Sequence, residues 1–110
     1  MSERKELGKI SSARFGYGGY QDAMIGLSLQ FSGESWGCGH FDGQWAIKPS
    51  DHAKWTDDER VRGLGETVMR LKEILEQAKV RHVEELVGIP VECTFEGMTL
   101  TNWRVLMEVL

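Results

Sequence analysis

Apolar and polar residues alternate along much of the first half of the chain. Ala23, Ile25, Leu27, Leu29 and Phe31 occupy every second position. After the turn-forming residues 32–35, the same period runs through residues 36–47. A period of two places alternate side chains on opposite faces of a β-strand. The pattern therefore predicts two strands paired as an antiparallel hairpin. A shorter strand containing Ile10, Ala13 and Phe15 is predicted to come before them, after a flexible N-terminus over residues 1–8.

Beyond Pro49 the spacing of apolar residues changes to steps of three and four. Thr56 and Glu59 have the spacing of a capping box, which marks the start of a helix. The stripe that should pack on the sheet consists of Val61, Leu64, Val68, Leu71, Leu75 and Ala78. These features predict a helix of about 22 residues, roughly 33 Å long. Gly63 and Gly65 inside it either permit a close backbone contact or mark a frayed first turn.

The last third of the chain predicts a short helix and a second hairpin. Residues 83–87 form the short helix, with Gly88 as its left-handed cap and Pro90 preventing continuation. The period then returns to two over residues 91–96 and 100–110. The predicted fold is a single α+β domain over residues 1–110, in the order β-β-β-α-α-β-β. About five antiparallel strands form its sheet, and one long amphipathic helix packs on one face.

Composition and charge narrow the class of protein. The chain has 110 residues, of which 41% are hydrophobic and 27% charged, and its net charge is −4. This composition is typical of a globular domain. An acidic balance makes nucleic-acid binding an unlikely general property. Residues 1–7 lack the apolar region of a signal peptide, and no stretch is long enough to span a membrane. We expect a cytoplasmic protein whose cysteines, Cys38 and Cys93, are free thiols.

No motif in the sequence makes a convincing catalytic site. Ser35 lies in a G-x-S-x-G pattern, but a glycine-rich strand follows it where a nucleophile elbow needs a helix. Cys38, His40 and Asp42 share one face of a strand and, with His52, could hold a metal. The sequence lacks the paired spacing that is typical of structural zinc ligands. The preferred interpretation is therefore a half-exposed polar strand face. We expect neither enzymatic activity, nor a metal, nor a cofactor.

Glycines are concentrated between residues 16 and 43. Gly37, Gly39 and Gly43 share a strand face, which indicates either helix packing against a smooth surface or contact with a ligand or subunit. The segment 16–20 is either a flexible loop with two exposed tyrosines or a ligand-binding loop in which Tyr17 or Tyr20 stacks on a flat ring.

Segments spread over nearly the whole chain resemble a family of small, mostly uncharacterised phage and prophage proteins. These segments are residues 18–23 (GGYQDA), 51–56 (DHAKWT), 88–92 (GIPVE) and 102–106 (NWRVL). In its order of elements, the chain is also similar to phage anti-Thoeris sponge proteins, which bind cyclic ADP-ribose signals and, in some cases, cyclic oligonucleotides. The resemblance implies a protein that sequesters a nucleotide immune signal. By this resemblance of type, and because nucleotides need stacking surfaces and phosphate donors, the candidate ligand-binding residues are Arg14, Tyr20, Trp36, Asn102 and Arg104.

The leading hypothesis is therefore a non-enzymatic anti-defence protein of phage or prophage origin. The alternative is an inhibitor that binds a host defence complex, as anti-CRISPR proteins do. A small hydrolase or metalloenzyme using His40 or Ser35 ranks last. We also expect a homo-oligomer, because one helix cannot cover the aromatic surface of Trp36, Trp45, Trp55 and Trp103.

Overall fold

The structure is a computed structural model that describes residues 2–49 and 54–110. In these residues the chain forms five antiparallel strands and one α-helix. The elements are β1 (Glu3–Gly18), β2 (Met24–Ser32), β3 (Gly37–Trp45), α1 (Asp57–Ala78), β4 (Pro90–Glu96) and β5 (Thr99–Val105). The sheet order is β3-β2-β1-β4-β5. The α+β class, the five-stranded antiparallel sheet and both hairpins are confirmed.

The predicted order β-β-β-α-α-β-β is wrong in one element. Val83–Leu86 forms a 3-10 turn and not a second α-helix, so the order is β-β-β-α-β-β. Val87 ends this turn, Gly88 follows with a φ of 94°, and Pro90 opens β4. This leaves too few residues for the i to i+4 hydrogen bonds of an α-helix.

The first strand is much longer than the sequence predicts and joins the two halves of the sheet. Residues 3–9 of β1 pair with β4, and residues 9–18 pair with β2. A register irregularity between Ile10 and Ser12 lies near the start of the second part. The prediction of a flexible N-terminus is therefore wrong for residues 3–8.

The helix packs on one face of the sheet, which we call the inner face. The core on this face contains Ile10, Leu27, Leu29, Phe31, Ile74, Ala78, Leu86, Val91, Cys93, Phe95, Trp103 and Val105. Val61 and Val68 of the predicted stripe remain 56% and 58% exposed. Leu71, Leu75 and Ala78 of the stripe pack on the core as predicted, and Thr67 and Ile74 are buried as well, so the contact face is shifted away from Val61 and Val68.

The helix covers the polar side of β3 and not the glycine side. Cys38, His40 and Asp42 lie opposite the core residues Phe31, Leu29 and Leu27, and cross-strand partners share a face. Gly37, Gly39 and Gly43 therefore lie on the other side, which we call the outer face. Helix packing on the glycines, one of the two predicted explanations, is wrong.

Several glycines make room for neighbouring side chains within the chain. A Cβ at Gly18 would lie 3.0 Å from the Phe41 ring, and one at Gly8 would lie 2.8 Å from Trp36. A Cβ at Gly63 would collide with the Gln44 side chain, so this glycine permits close approach of α1 to β3. The capping box at the helix start is confirmed, and Gly63 lies well inside the helix.

The tryptophans are covered by the chain itself. Trp45 and Trp55 stack with ring centroids 4.7 Å apart, and Trp36 meets Phe95 edge-on at 5.4 Å. Trp103 is buried, and Trp36, Trp45 and Trp55 are partly buried. The tryptophans therefore leave much less surface uncovered than the predicted reason for oligomerisation requires, and oligomerisation stays a prediction.

The two edge strands of the sheet approach each other on the inner face. Trp103 of β5 lies 5.0 Å from Phe31 and 6.3 Å from His40 of β3, measured between ring centroids. The sheet is therefore strongly curled. The last strand is shorter than predicted: β5 ends at Val105 and a 3-10 turn, Met107–Val109, follows. No helix of the described residues is long and apolar enough to cross a bilayer.

Candidate functional site

The outer face of β1, β2 and β3 differs from the acidic average of the molecule. Where β1 pairs with β2, over residues 9–18, strand alternation and register place on this face two cations, Lys9 and Arg14, and no carboxylate from that part of β1 or from β2 and β3. The other members are hydroxyl, amide, apolar and glycine residues: Ser12, Gly16, Gly18, Met24, Gly26, Ser28, Gln30, Ser32, Gly37, Gly39, Phe41, Gly43 and Trp45. In a chain of net charge −4, this local excess of positive charge favours an anionic ligand.

A cleft of about 410 Å³ opens on this face beside the register irregularity of β1. It is lined by Ser12, Arg14, Phe15, Gly16, Tyr17, Ser28 and Gln30. The extra residue of the irregularity, Ser11, donates its hydroxyl to the Gln30 carbonyl at 3.2 Å. Such bulges increase the local twist of a strand and redirect its side chains. A Cβ at Gly16 would meet no atom within 4 Å, so one side of the cleft is open.

Arg14 is the principal charged group of the cleft. Arg4, Arg60, Arg70 and Arg104 each form an ion pair, whereas Arg14 forms neither an ion pair nor a side-chain hydrogen bond with any residue that the structure describes. Its five N–H donors, which match phosphate and carboxylate oxygens, are available for a ligand. A more open cavity of about 330 Å³ on the adjacent strand edge brings Arg14 together with Glu84.

Arg104 is engaged by carboxylates of the chain itself. Its Nη1 and Nη2 atoms donate to Glu108 at 3.0 and 2.8 Å, and its Nε donates to Glu92 at 3.0 Å. These hydrogen bonds, those of Glu108 foremost, raise the pKa of Arg104, and the same pair lowers the pKa of Glu108 to about 2. A phosphate would have to displace Glu108, so Arg104 is a poor anion contact in this arrangement.

The five candidate residues do not form one site. Asn102 and Arg104 line a cavity of about 190 Å³ between β5 and α1, and Arg14 lines the outer-face cleft. Tyr20 is 67% exposed and meets Trp45 edge-on, with centroids 6.4 Å apart. Trp36 packs against Phe95 and is not an open stacking surface.

The other polar groups of the Arg14 cleft were missed by sequence reasoning. Ser12, Ser28 and Gln30 come from two strands, and only the pairing register shows that Ser28 lies opposite Arg14 and Gln30 opposite Ser12. The alternation of β2 predicts that Ser28 and Gln30 share its polar face, which is the signal that the sequence does carry.

The polar face of β3 has no arrangement that favours a metal. The Asp42 carboxylate accepts a hydrogen bond from Arg70 at 2.7 Å. Burial raises the pKa of the Cys38 thiol, which disfavours the thiolate that a metal needs. Burial also lowers the pKa of His40, although Asp42 opposes this effect. The part of the chain that the structure describes contains no group of three potential ligands, and His52 lies outside it.

Ser35 lies in the turn between β2 and β3, so the strand–turn–helix context of a nucleophile elbow is absent there. Residues 51–53, which belong to one of the phage-like segments, lie outside the described residues. No protein-family model, curated protein or solved structure matches this chain.

Proposed function

We propose that the protein is a non-enzymatic anti-defence protein that binds and sequesters a nucleotide signal, with the Arg14 cleft as its binding site. The observation that supports this most is the arginine itself: it lines the outer-face cleft and has no carboxylate partner among the described residues. The phage origin and the immune role rest on the resemblance of type described above.

The lining of the cleft suits a phosphorylated ligand. The Arg14 guanidinium, the Ser12 and Ser28 hydroxyls and the Gln30 amide can all donate to phosphate oxygens. The volume of about 410 Å³ falls within the range of roughly 300–1,000 Å³ that is common for small-molecule sites. Tyr17 also borders the cleft, but strand alternation places its side chain on the inner face with that of Phe15, so the phosphate donors carry the proposed binding.

Thermal melting with a panel of ligands tests this proposal. Cyclic ADP-ribose isomers, cyclic dinucleotides and cyclic trinucleotides are added to the purified protein. A ligand present at 100 times its Kd adds about 2.7 kcal/mol, which raises the midpoint by on the order of 10 °C in a domain of this size. We expect Arg14→Ala to remove the shift, because the cleft then loses its cation.

Arg62→Ala is the matched control, since Arg62 is an exposed cation on α1 outside the cleft. It should keep the full shift. If no compound of the panel raises the midpoint, or if Arg14→Ala shifts as much as the wild type, the proposal is wrong.

A second candidate function is inhibition of a host defence complex by direct protein contact. Val61, Val68 and Met69 on α1 are each more than half exposed, and apolar side chains close together on one helix favour a protein partner. Co-purification from host cells that is lost in Val68→Asp, together with no nucleotide binding, would favour this candidate over the first.

A further inference from the structure

One edge of β1 has no strand beside it over residues 13–18. These residues pair with β2 on one side, whereas the pairing with β4 ends at Lys9. At Ile10 the neighbour on this edge is the segment between α1 and β4. The Ile10 N–H donates to the Ile89 carbonyl, and the Gly88 N–H donates to the Ile10 carbonyl. The remaining edge presents main-chain N–H and C=O groups that can pair with another strand.

The side chains of this edge do not protect it. The residues are Ala13, Arg14, Phe15, Gly16, Tyr17 and Gly18, with no proline and no carboxylate among them. Natural edge strands usually carry prolines, several charges or a covering segment. Here Val83 and Glu84 line an open cavity of about 330 Å³ beside Ala13, Arg14 and Phe15 but form no main-chain hydrogen bond with them, so this cavity is the space that a partner strand would enter. Phe15 and Tyr17 lie on the inner face and are 40% and 72% exposed. The outer face of the same stretch carries Arg14 between small residues.

We propose that this edge pairs antiparallel with the same edge of a second copy of the chain. Of the registers that keep Phe15 and Tyr17 of both copies on the inner face, two pair five of the six residues 13–18. One places Phe15 opposite the partner's Phe15, and the other places it opposite the partner's Tyr17. In both registers Arg14 lies opposite a glycine, the partner's Gly16 or the partner's Gly18.

A second copy fits this edge better than an unrelated extended peptide because the edge is self-complementary. Aromatic residues meet aromatic residues on one face, and cross-strand aromatic pairs are among the favourable ones. On the other face the long Arg14 side chain meets a residue without one, and the space above Gly16 is open.

Pairing also joins the two Arg14 clefts, and this step rests on the proposed function. Strand geometry separates the two arginines by two or four residues, which is roughly 7–14 Å. Each site then receives a second guanidinium from the partner. The ligand class that fits such a site carries two phosphates, as a cyclic dinucleotide does.

The area available indicates a weak dimer in the absence of ligand. Taking about 200 Å² for a whole aromatic side chain, Phe15 and Tyr17 expose roughly 200 Å² in each copy, and the main-chain edge adds to this. A standard interface takes about 800 Å² from each partner. The two Arg14 side chains also lie on the same face of the joined sheet, where their like charges repel. An anion that bridges them strengthens the dimer, and by linkage the dimer binds that anion more tightly.

Sedimentation of the full chain over a range from micromolar to near-millimolar protein tests the pairing. We expect a reversible dimer that Tyr17→Lys weakens at least tenfold, because the lysines place charge at the aromatic contact. Val68→Lys is the matched control: Val68 is 58% exposed on α1, away from the edge, and this variant should dimerise as the wild type does. Arg14→Ala should dimerise as well as the wild type or better.

A wild-type protein that stays monomeric at every concentration, or a dimer that Tyr17→Lys leaves unchanged, would overturn the inference. Hydrogen exchange gives a second measurement that needs no variant: the amides of residues 13–18 should exchange more slowly as the protein concentration rises. The two proposals fail separately, since a dimer that binds no nucleotide contradicts only the proposed function, and a monomer whose melting shift depends on Arg14 contradicts only the pairing.

Discussion

Two arginines of this protein, Arg14 and Arg104, differ in whether their N–H donors are free to bind a ligand. Arg104 is exposed on the outer side of β5, yet Glu92 and Glu108 take up its donors. Arg14 lies on a strand whose neighbours on the same face are serines and glycines, so the described chain offers it no such partner. The sequence predicts both arginines as ligand-binding candidates. Only the pairing of the strands shows that carboxylates of the chain occupy the donors of Arg104 and, among the described residues, leave those of Arg14 free.

At Gly26 the sheet leaves no room for a side chain. A Cβ there would collide with the Asp42 carbonyl oxygen and the Gly43 Cα of β3, which are main-chain atoms that cannot turn aside. We expect Gly26→Ala to cost roughly 2–3 kcal/mol of unfolding free energy, as overpacking does. Gly16→Ala is the control, because its Cβ meets nothing within 4 Å; it should be neutral or slightly stabilising. Denaturant titration of both variants measures the difference, and equal effects would contradict this account.

His40 links stability to pH. Its ring lies between Phe31 and Trp103, and burial lowers its pKa, with Arg70 acting in the same direction and Asp42 against it. The unfolded chain binds a proton as the pH falls through about 6.5, whereas the folded chain does not until a lower pH. The unfolding free energy should therefore fall as the pH drops below neutral. Denaturation measured from neutral to mildly acidic pH should show a shallower fall for His40→Gln than for the wild type; parallel curves would exclude a role of His40.

In α1, two glycines two residues apart in sequence have different environments. Gly63 faces the Gln44 side chain of β3, whereas a Cβ at Gly65 would meet no atom within 4 Å. Replacing glycine by alanine in a helix gains about 1 kcal/mol when nothing is in the way. Gly65→Ala should therefore raise the melting temperature, and Gly63→Ala should raise it less or lower it because Gln44 must move. Melting curves followed by circular dichroism compare the two, and an equal rise would show that α1 does not depend on Gly63 to approach β3.

The elements that the sequence predicts well are those whose buried positions are apolar. The alternation of β2 and the capping box of α1 each carry a complete local signal, and both are confirmed. The first half of β1 carries none, because its inward positions are Arg4, Glu6 and Gly8. Arg4 lies over the Phe95 ring at 5.0 Å, and Gly8 accommodates Trp36. These positions are buried in part by side chains distant in sequence, which no local pattern shows.

Strand β3 was assigned the wrong covered face for a related reason. Both of its faces mix polar and aromatic residues, so the period of two identifies the strand but not its orientation. The contacts that decide the orientation are tertiary, such as the ion pair between Arg70 and Asp42 at 2.7 Å and the stacking of His40 on Phe31. The Arg14 cleft depends on this orientation, and for that reason its full lining was not predicted.

For the whole molecule, the N-terminal residues are expected to be essential to stability. Deleting residues 2–8 removes the β1 pairing with β4 and the Arg4 contact with Phe95. With a net gain of about 0.5–1.5 kcal/mol for each hydrogen bond, the loss should be on the order of 3–5 kcal/mol. Deletion of residues 109–110 is the control, since Val109 and Leu110 are exposed. Chemical denaturation measures both, and a stable N-terminal deletion would mean that residues 3–8 act as a tail.

The same strand determines the order in which the parts of the sheet can form during synthesis. Glu3 pairs with Glu96, so residues 3–9 must wait until β4 has been synthesised before their main-chain groups are satisfied. The meander of β1, β2 and β3 can form earlier, since its partners are close in sequence. The nascent chain therefore carries this part of β1 without its partner until β4 emerges, and a bulky group attached ahead of Glu3 would delay the closing of the sheet.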